Sequence, residues 1–340
     1  MTIVIGFDVH RGQITFDALD GATGEVKSGR IAPADRNGLR RFLERWDGRR
    51  VEAAVEATTG WRFVVEEIAA RRRHRVPGRA RKTSARRGPK RRARTDRRDA
   101  RHLRELLLER RLPQAWIPPE HILELRALVR LRKTLVDQRT EWLQRIHAVL
   151  FHHGVRAATA RLDGRDARCH LDALELSPAG RRQVELALAM IDHVNAQLAP
   201  LSAELNAFAR RQPGCRALMR HYGIGPQVAC AILAELGDAR RFSSSRQAVR
   251  FAGLDVTVHE SDAKRRPGHL SRQGPPVLRW AASRPPSPRA SPAHPTTPTT
   301  CNSRSVWGRT APCSRSRASS CVASITACAS SATDALLPAA

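Results

Sequence analysis

Apolar and polar residues alternate along the first third of the chain with the periods of strands and helices. Three apolar or alternating runs of strand length lie at Ile3–Phe7, Ile14–Ala18 and Val51–Val55. Asp20-Gly21, after the second run, is typical of a hairpin turn. Helical spacing follows at Leu39–Trp46 and Trp61–Ala70. The pattern predicts an α/β domain over residues 1–112.

Residues 113–210 have the spacing of long helices. Apolar residues recur every three to four positions at Ile122, Leu125, Leu128, Leu131, Leu135, Trp142, Ile146 and Leu150. A second helical stretch begins at Pro178 and ends near Ala209. Together they predict an antiparallel helical hairpin that acts as a coiled-coil spacer or dimerisation element, with an ordinary helix bundle as the alternative.

Residues 211–281 are predicted to form a small all-α domain. It is centred on Tyr222-Gly-Ile-Gly-Pro226, with a helix following over Gln227–Leu236. Two glycines before a helix are typical of a helix–hairpin–helix, whose backbone amides can face a phosphate. Gly223 and Gly225 are therefore candidate nucleic-acid-binding residues. Residues 282–340 are rich in Ser, Pro, Arg and Thr without periodicity, which predicts a disordered tail.

The charge of the chain indicates a polyanionic partner. Sixty Lys and Arg against 32 Asp and Glu give a formal net charge of +28, and arginine-rich chains favour phosphate. No apolar run reaches the roughly 18 residues of a membrane span, and no secretory signal precedes the first strand. The seven cysteines include no C-x-x-C pair, which argues against zinc and disulfides. We expect a cytoplasmic, nucleoid-associated protein.

A strongly basic stretch lies between the predicted α/β elements and the first helical stretch. Its densest part contains Lys90, Arg91, Arg92 and Arg94. Such a run is usually a solvated loop. Its position just before a pair of acidic residues favours a loop that faces phosphate.

Four acidic residues have the order and context of a metal site that cuts nucleic acid. Asp8 and Glu56 each end an apolar run, and Asp96 and Asp99 open a helix-like segment, three residues apart and so on one face. Converging carboxylates repel each other unless a cation lies between them, and oxygen ligands favour Mg²⁺ or Mn²⁺. An RNase H-like site places carboxylates in this way, on two strands and a later helix. The alternative is that each acid is a surface carboxylate, with Asp96 capping its helix.

These motifs, taken together, resemble the DEDD-type insertion-sequence transposases of the IS110 family. The resemblance covers residues 1 to about 281. It is carried by Gly6-Phe-Asp-Val9, Val55-Glu-Ala-Thr-Thr-Gly60, Arg94-Thr-Asp-Arg-Arg-Asp-Ala100, Trp116-Ile-Pro-Pro, Glu124-Leu-Arg-Ala-Leu, Gly223-Ile-Gly-Pro, Ala234-Glu-Leu-Gly-Asp238, Phe251-Ala-Gly-Leu-Asp255 and Gly268-His-Leu-Ser-Arg-Gln-Gly274.

The resemblance implies a RuvC-like catalytic domain, a coiled-coil spacer and a C-terminal transposase domain. It implies DNA recombination guided by a structured RNA, and a C-terminal serine, at the position of Ser261, that attacks DNA. A serine hydroxyl is a weak nucleophile until a base or metal activates it. Flanking phosphate contacts are expected from Lys264, Arg265, Arg266 and Arg272. We expect a homo-oligomer, a dimer or tetramer, whose Ser261 meets the four acids.

Two other functions are compatible with these residues. A structure-specific RuvC- or RNase H-like nuclease needs the four acids and not Ser261. A degraded copy binds nucleic acid without recombining it. The second alternative gains weight because the resemblance stops after Leu278-Arg-Trp-Ala281. When the segment Thr300–Trp307 is reverse-translated with GC-rich codons, a shifted frame can be read as Leu-Gln-Leu-Lys-Glu-Arg-Leu. This predicts an out-of-frame tail beginning near residue 282.

Overall fold

A computed structural model describes residues 2–56, 59–71, 74–76, 79–80, 95–155, 162, 164–221, 223–261 and 264–283. The chain divides into two compact units, residues 1–117 and 118–340. The predicted spacer falls almost entirely in the second unit, together with the predicted C-terminal domain. Lys90, Arg91, Arg92, Arg94 and the tail from residue 284 lie outside the described residues.

The first unit is built on a mixed sheet. Its strands are β1 (Thr2–Val9), β2 (Ile14–Asp20), β3 (Val26–Ile31), β4 (Arg50–Glu56), β5 (His74–Arg75), β6 (Arg79–Ala80) and β7 (Gln114–Ala115). The strand order is β3-β2-β1-β4-β6-β7, and β5 also pairs with β4. Strand β1 is antiparallel to β2 and parallel to β4. The mixed α/β architecture predicted for this region is confirmed.

Helices cover both faces of this sheet. Helices α1 (Arg36–Glu44) and α2 (Trp61–Ala69) pack against one apolar core with β1, β2 and β4. Helix α3 (Asp96–Leu108) covers the other face, where its leucines meet Val4 and Ala54. Strand β1 is therefore buried on both faces, which explains its unbroken apolar run.

A buried ion pair fastens α3 to the sheet. Arg104 on α3 donates from Nε to the carboxylate of Asp17 on β2, and both side chains are buried. A buried charge is tolerated when it is paired in this way. The pair lies on the sheet face that also carries Gly6 and Asp8, because Gly6 is the register partner of Asp17.

The second unit begins with two long helices. They are α4 (Glu120–His152) and α6 (Pro178–Arg211), joined through α5 (Arg165–Asp172). Leu125, near the start of α4, shares a core with Leu205, near the end of α6. Ile146, near the end of α4, shares another core with Val184, near the start of α6. The two helices therefore run antiparallel, with bounds close to those that the apolar spacing predicts.

The C-terminal part of this unit packs against one end of the helical hairpin. It contains α7 (Pro213–Met219), α8 (Pro226–Leu236), a 3₁₀ turn (Ala239–Arg241), α9 (Ser245–Ala252), β8 (Val256–Ser261), β9 (Lys264–Leu270) and α10 (Pro276–Ser283). Arg130 on α4 donates from Nε to the buried carboxylate of Glu235 on α8 at 2.7 Å. Arg126 donates from Nε to the backbone carbonyl of Ala234 at 2.9 Å.

The prediction of an all-α C-terminal domain is wrong in one respect. Residues 256–270 form an antiparallel hairpin, β8–β9, with a register shift between Val256 and Val258. The alternation of Val256-Thr-Val258 supports a strand. Its return strand carries Lys264-Arg-Arg266, which has no apolar face for sequence periodicity to reveal. Among the described residues, no helix is both long and apolar enough to cross a membrane.

Candidate active site

Two neighbouring parallel strands bring two predicted acids to one edge of the sheet. Asp8 is the penultimate residue of β1, and Glu56 is the last residue of β4. Phe7 is the register partner of Val55, so Asp8 and Glu56 follow at the same level. Carboxyl ends of parallel strands meet at one edge of a sheet, where open α/β folds bind ligands.

Helix α3 brings the other two acids to the same edge. Asp96 and Asp99 lie in its first turn. Together the four acids line one cleft of about 360 Å³, whose walls are Asp8, Val9, His10, Arg11, Glu56, Thr59, Thr95, Asp96 and Asp99. Three elements that are distant in sequence therefore contribute the carboxylates of a single cleft.

Gly6 allows α3 to approach this closely. A Cβ at Gly6 would lie 2.0 Å from the carbonyl oxygen of Ala100 and 2.7 Å from the backbone nitrogen of Arg104. These are backbone atoms of α3, so they cannot rotate away. A side chain at residue 6 would push the first turns of α3, which carry Asp96 and Asp99, away from Asp8.

Asp96 does not cap its helix. The capping residue is Thr95, whose hydroxyl accepts from the backbone nitrogen of Arg98 at 3.4 Å. Asp96 instead accepts at Oδ2 from Nε2 of Gln13 at 3.3 Å. The loop after β1 is thereby held against the start of α3.

The electrostatics of the cleft centre on Asp8, which is 4% exposed. Burial raises the pKa of the Asp8 carboxyl, His10 opposes that rise, and the carboxylates of Asp99 and Asp96 add to it. Burial is the main cause of the raised pKa, and the neighbouring carboxylates add negative charge beside Asp8. The amino-terminal end of α3 offsets only part of it, because a helix terminus contributes about half a positive charge.

His10 is a member of this cluster that the sequence pattern did not single out. Its Nε2 lies 3.2 Å from Oδ2 of Asp8 and 3.7 Å from Oδ1 of Asp96. In the sequence, only its position two residues after Asp8 could have pointed to His10. The fold adds that the turn after β1 brings it beside Asp96. Gln13 was missed for the same reason.

The donor set fits a divalent cation. One atom each from Asp8, His10 and Asp96 lie within 4.8 Å of one another, and Glu56 and Asp99 line the same cleft. Carboxylate oxygens are the ligands that Mg²⁺ and Mn²⁺ prefer, and imidazole also binds transition metals. A cation here would offset both the burial of the Asp8 carboxylate and its repulsion by Asp99 and Asp96.

The remaining predicted site residues belong to the second unit. Ser261 is the last residue of β8 and the register partner of Lys264 on β9. Arg265 and Arg266 also lie on β9, opposite Glu260 and His259. At the base of this hairpin the hydroxyl of Ser271 donates to the carboxylate of Asp255.

Three further predicted positions belong to connections of the second unit, and two of them have a positive φ. Gly223 has φ +82° in the turn between α7 and α8, and Gly225 is the residue before α8. Arg272 is exposed and has φ +51°, which is uncommon for a residue other than glycine. Its backbone nitrogen donates to the carbonyl of Gly253 at 3.1 Å, which helps to hold this conformation.

Comparison with known families and proteins gives a consistent result. A DEDD transposase model of the IS110 type matches residues 5–153. A second model, described as a transposase of the IS116/IS110/IS902 family, matches residues 215–284. The chain is 31% identical over 162 residues to a Pseudomonas aeruginosa protein named "Probable family 20 transposase", covering 46% of this chain and 47% of that protein.

A second relative is the "Transposase for insertion sequence element IS1111A" of Coxiella burnetii. The chain is 26% identical to it over 159 residues, covering 46% of this chain and 44% of the relative. The chain thus spans about half the length of these curated relatives. Both family models are transposase models, and together they include the cleft and the β8–β9 hairpin.

Proposed function

The chain belongs to the IS110 family of transposases, and from that premise we propose that it cuts and rejoins DNA as the transposase of an insertion sequence. The observation that carries the proposal is the convergence of Asp8, Glu56, Asp96 and Asp99 on one cleft. Carboxylates on two strand ends and a later helix are the arrangement that an RNase H-like nuclease site requires. A chain with a net charge of +28 supplies the surface for a polyanion.

In the proposed site, Asp8, Glu56, Asp96 and Asp99 hold divalent metal, Mg²⁺ or Mn²⁺. When bound, such ions stabilise the attacking and leaving oxygens of a phosphodiester. Asp8 is the most buried of the four acids, so its carboxylate would lie at the bottom of the metal site. Arg11 and Thr59 are exposed residues in the lining of the cleft, where they would donate hydrogen bonds to the phosphate oxygens of the strand.

Ser261 is the proposed nucleophile of strand exchange. Its hydroxyl oxygen bonds to phosphorus while the bond from phosphorus to one deoxyribose oxygen breaks. The serine proton leaves to a carboxylate or water, and the departing deoxyribose oxygen gains one. One phosphodiester is exchanged for another, so the bond energy is conserved for the rejoining step. The basic run Lys264-Arg-Arg266, close to the serine in sequence, supports this role, because lysine and arginine favour phosphate.

We extend the proposal to the partners of the enzyme. A structured guide RNA that pairs with target and donor DNA would supply sequence specificity, while arginines and lysines bind its backbone. A homo-oligomer, dimer or tetramer, would let the Ser261 of one copy meet the acidic cleft of another. The second function that the cleft supports is plain hydrolysis by a RuvC-like nuclease, since the four acids alone suffice for it.

The test compares Asp99→Asn and Ser261→Ala in the full chain. The substrate is a plasmid that carries the element's ends, with RNA transcribed from its flanks. Asp99→Asn should lower strand cleavage by at least about a hundredfold, since the site loses a carboxylate used in the transition state, and should leave DNA binding intact. Ser261→Ala should remove a protein–DNA adduct that the wild-type chain gives on denaturing gels.

Matched variants separate these effects from general damage. Glu109→Gln removes an exposed acid just after α3, and Ser243→Ala removes an exposed serine of the second unit. Both should behave as wild type. Cleavage by Asp99→Asn at the wild-type rate would refute the metal site. Hydrolysed ends without any adduct would favour the nuclease, and DNA binding without cleavage would favour a degraded copy.

A further inference from the structure

His10 belongs to the acidic cleft although it is not one of the four acids. Its Nε2 lies 3.2 Å from Oδ2 of Asp8 and 3.7 Å from Oδ1 of Asp96, and all three donor atoms fit within 4.8 Å. The turn that follows β1 holds it there, because the backbone nitrogen of His10 donates to the carbonyl of Gln13 at 3.0 Å. Gln13 is itself bonded to Asp96.

We propose that His10 is a metal ligand that sets the metal preference of this cleft. Its Nε2 joins the carboxylates of Asp8 and Asp96 around one divalent cation and shifts the site from Mg²⁺ towards Mn²⁺. This inference rests on the proposed function, since it concerns the same cleft. It adds a nitrogen ligand to a site for which the sequence pattern predicts carboxylate oxygen ligands only.

The spacing of the donor atoms suits a shared cation. Two ligands at 2.0–2.2 Å from one ion, about 90° apart, are themselves separated by about 3 Å. The separations of 3.2 and 3.7 Å around His10 are close to that value. A small inward movement of the three donors would complete the site.

The chemistry of imidazole explains the expected preference. Mg²⁺ is a hard cation that keeps its waters and favours oxygen ligands. Mn²⁺ accepts oxygen ligands equally well and gains more from a nitrogen ligand, and imidazole affinity rises further along the first transition row. A nitrogen beside two carboxylates therefore strengthens Mn²⁺ binding more than Mg²⁺ binding.

A different role for His10 gives the opposite result. As a positively charged counter-ion of Asp8 and Asp96, it would compete with the cation. Removing it would then strengthen the binding of Mn²⁺ and Mg²⁺ alike, because two carboxylates would lose their partner. The sign of the change on substitution therefore separates a ligand from a counter-ion.

The experiment measures Mn²⁺ binding to the full chain by electron paramagnetic resonance, with Mg²⁺ as competitor. His10→Gln should weaken Mn²⁺ binding by at least about tenfold, since loss of even an outer-shell partner of a metal ligand costs about that much, and should weaken Mg²⁺ binding much less. Gln13→Ala is the matched control, because Gln13 also contacts Asp96 and has no ring nitrogen. It should leave the ratio of the two affinities unchanged.

A spectroscopic readout tests ligation directly. Pulsed electron paramagnetic resonance of the bound Mn²⁺ should show coupling to a ring ¹⁴N in wild type and in Gln13→Ala, and none in His10→Gln. Absence of the coupling in wild type, or tighter binding of both cations by His10→Gln, would overturn the inference.

Asp99→Asn distinguishes the two proposals. If it weakens Mn²⁺ binding while His10→Gln changes neither the affinity ratio nor the nitrogen coupling, only the inference about His10 fails. If wild type binds no Mn²⁺, the metal site of the proposed function fails with it.

Discussion

Gly6 is a position at which one added methyl group would disturb the geometry of the cleft. Gly6→Ala places a Cβ 2.0 Å from the carbonyl oxygen of Ala100. Because the obstacle is backbone, α3 must move, and we expect a loss of about 3 kcal/mol, at the upper end of overpacking costs. Mn²⁺ affinity should fall as well, because Asp96 and Asp99 move away from Asp8.

Gly12→Ala is the control for this prediction. It makes the same change in the same unit, with no atom within 4 Å of the added Cβ. Thermal unfolding and a Mn²⁺ titration of both variants give the comparison. Equal melting temperatures and equal affinities for Gly6→Ala and wild type would show that α3 does not depend on this contact.

At the scale of residues, sequence reasoning located the acids better than it located their neighbours. Asp8 and Glu56 were predictable because each ends an apolar run, and the strand ends of an α/β sheet collect functional groups. His10 and Gln13 were not predicted. Their places in the cleft depend on the turn after β1 meeting the start of α3, a tertiary contact that no local period encodes.

Helices α1 and α2 are tied together by a carboxylate whose ionisation stabilises the fold. Glu67 is buried on α2 and accepts from Nε of Arg40 on α1 at 2.6 Å and from Nη1 of Arg36 at 2.8 Å. The hydrogen bond from Arg40 lowers the pKa of Glu67 below its ordinary value of 4.5, and Arg36 adds to the effect. Folding therefore favours the charged form.

The pH dependence follows from that sign. A carboxyl whose pKa is lower in the folded state stabilises the fold above its unfolded pKa, and this stabilisation is lost as pH falls through the folded value. Glu67→Gln should lower the melting temperature by several degrees at pH 7, and the difference should shrink steadily as the buffer is taken below about pH 4.

An exposed acid provides the reference. Glu44→Gln, at the end of α1, should change the melting temperature little at either pH. A Glu67→Gln deficit that stays constant from pH 7 to pH 3 would mean that packing, and not charge, accounts for the loss.

Elements with a strong period were predictable, and elements without one were not. Strands β1, β2 and β4 and the two long helices have bounds within a few residues of those expected, because their apolar spacing is regular. The β8–β9 hairpin was missed, since Lys264-Arg-Arg-Pro-Gly268 has neither strand alternation nor an apolar face. That hairpin is held by pairing and by its base, where Asp255 meets Ser271.

At the scale of the whole molecule, the net charge of +28 predicts how nucleic-acid binding depends on salt. Binding of duplex DNA should weaken steeply with salt, with a log–log slope near −0.9 for each phosphate neutralised. Replacing Lys90, Arg91, Arg92 and Arg94 with alanine should reduce the slope by up to about 3 to 4. Structured RNA should bind at least as tightly as duplex DNA. Fluorescence anisotropy over a range of salt concentrations measures both.

Alanine at Arg182 and Arg210, two exposed arginines of α6, is the comparison set. It should alter the slope less per charge removed. A slope that is the same in all three proteins would argue against the basic stretch as the nucleic-acid surface.

At the scale of the whole chain, the three regions that the sequence predicts before the tail stay a prediction. The structure shows two compact units, and the predicted spacer and C-terminal domain share the second one. The reason is a core that joins Leu125 on α4 and Leu205 on α6 to the small helices after residue 213. Ion pairs such as Arg130–Glu235 reinforce that junction, and no linker composition marks it.

The length of α4 has a consequence for how the second unit unfolds locally. Its 33 residues span about 50 Å at 1.5 Å each, and none of its side chains between Val129 and Ile146 is buried. The apolar cores at its two ends share no buried residue. We therefore expect native-state hydrogen exchange to resolve the two ends as separate foldons, with the amides of α4 between Val129 and Ile146 less protected than those at either end.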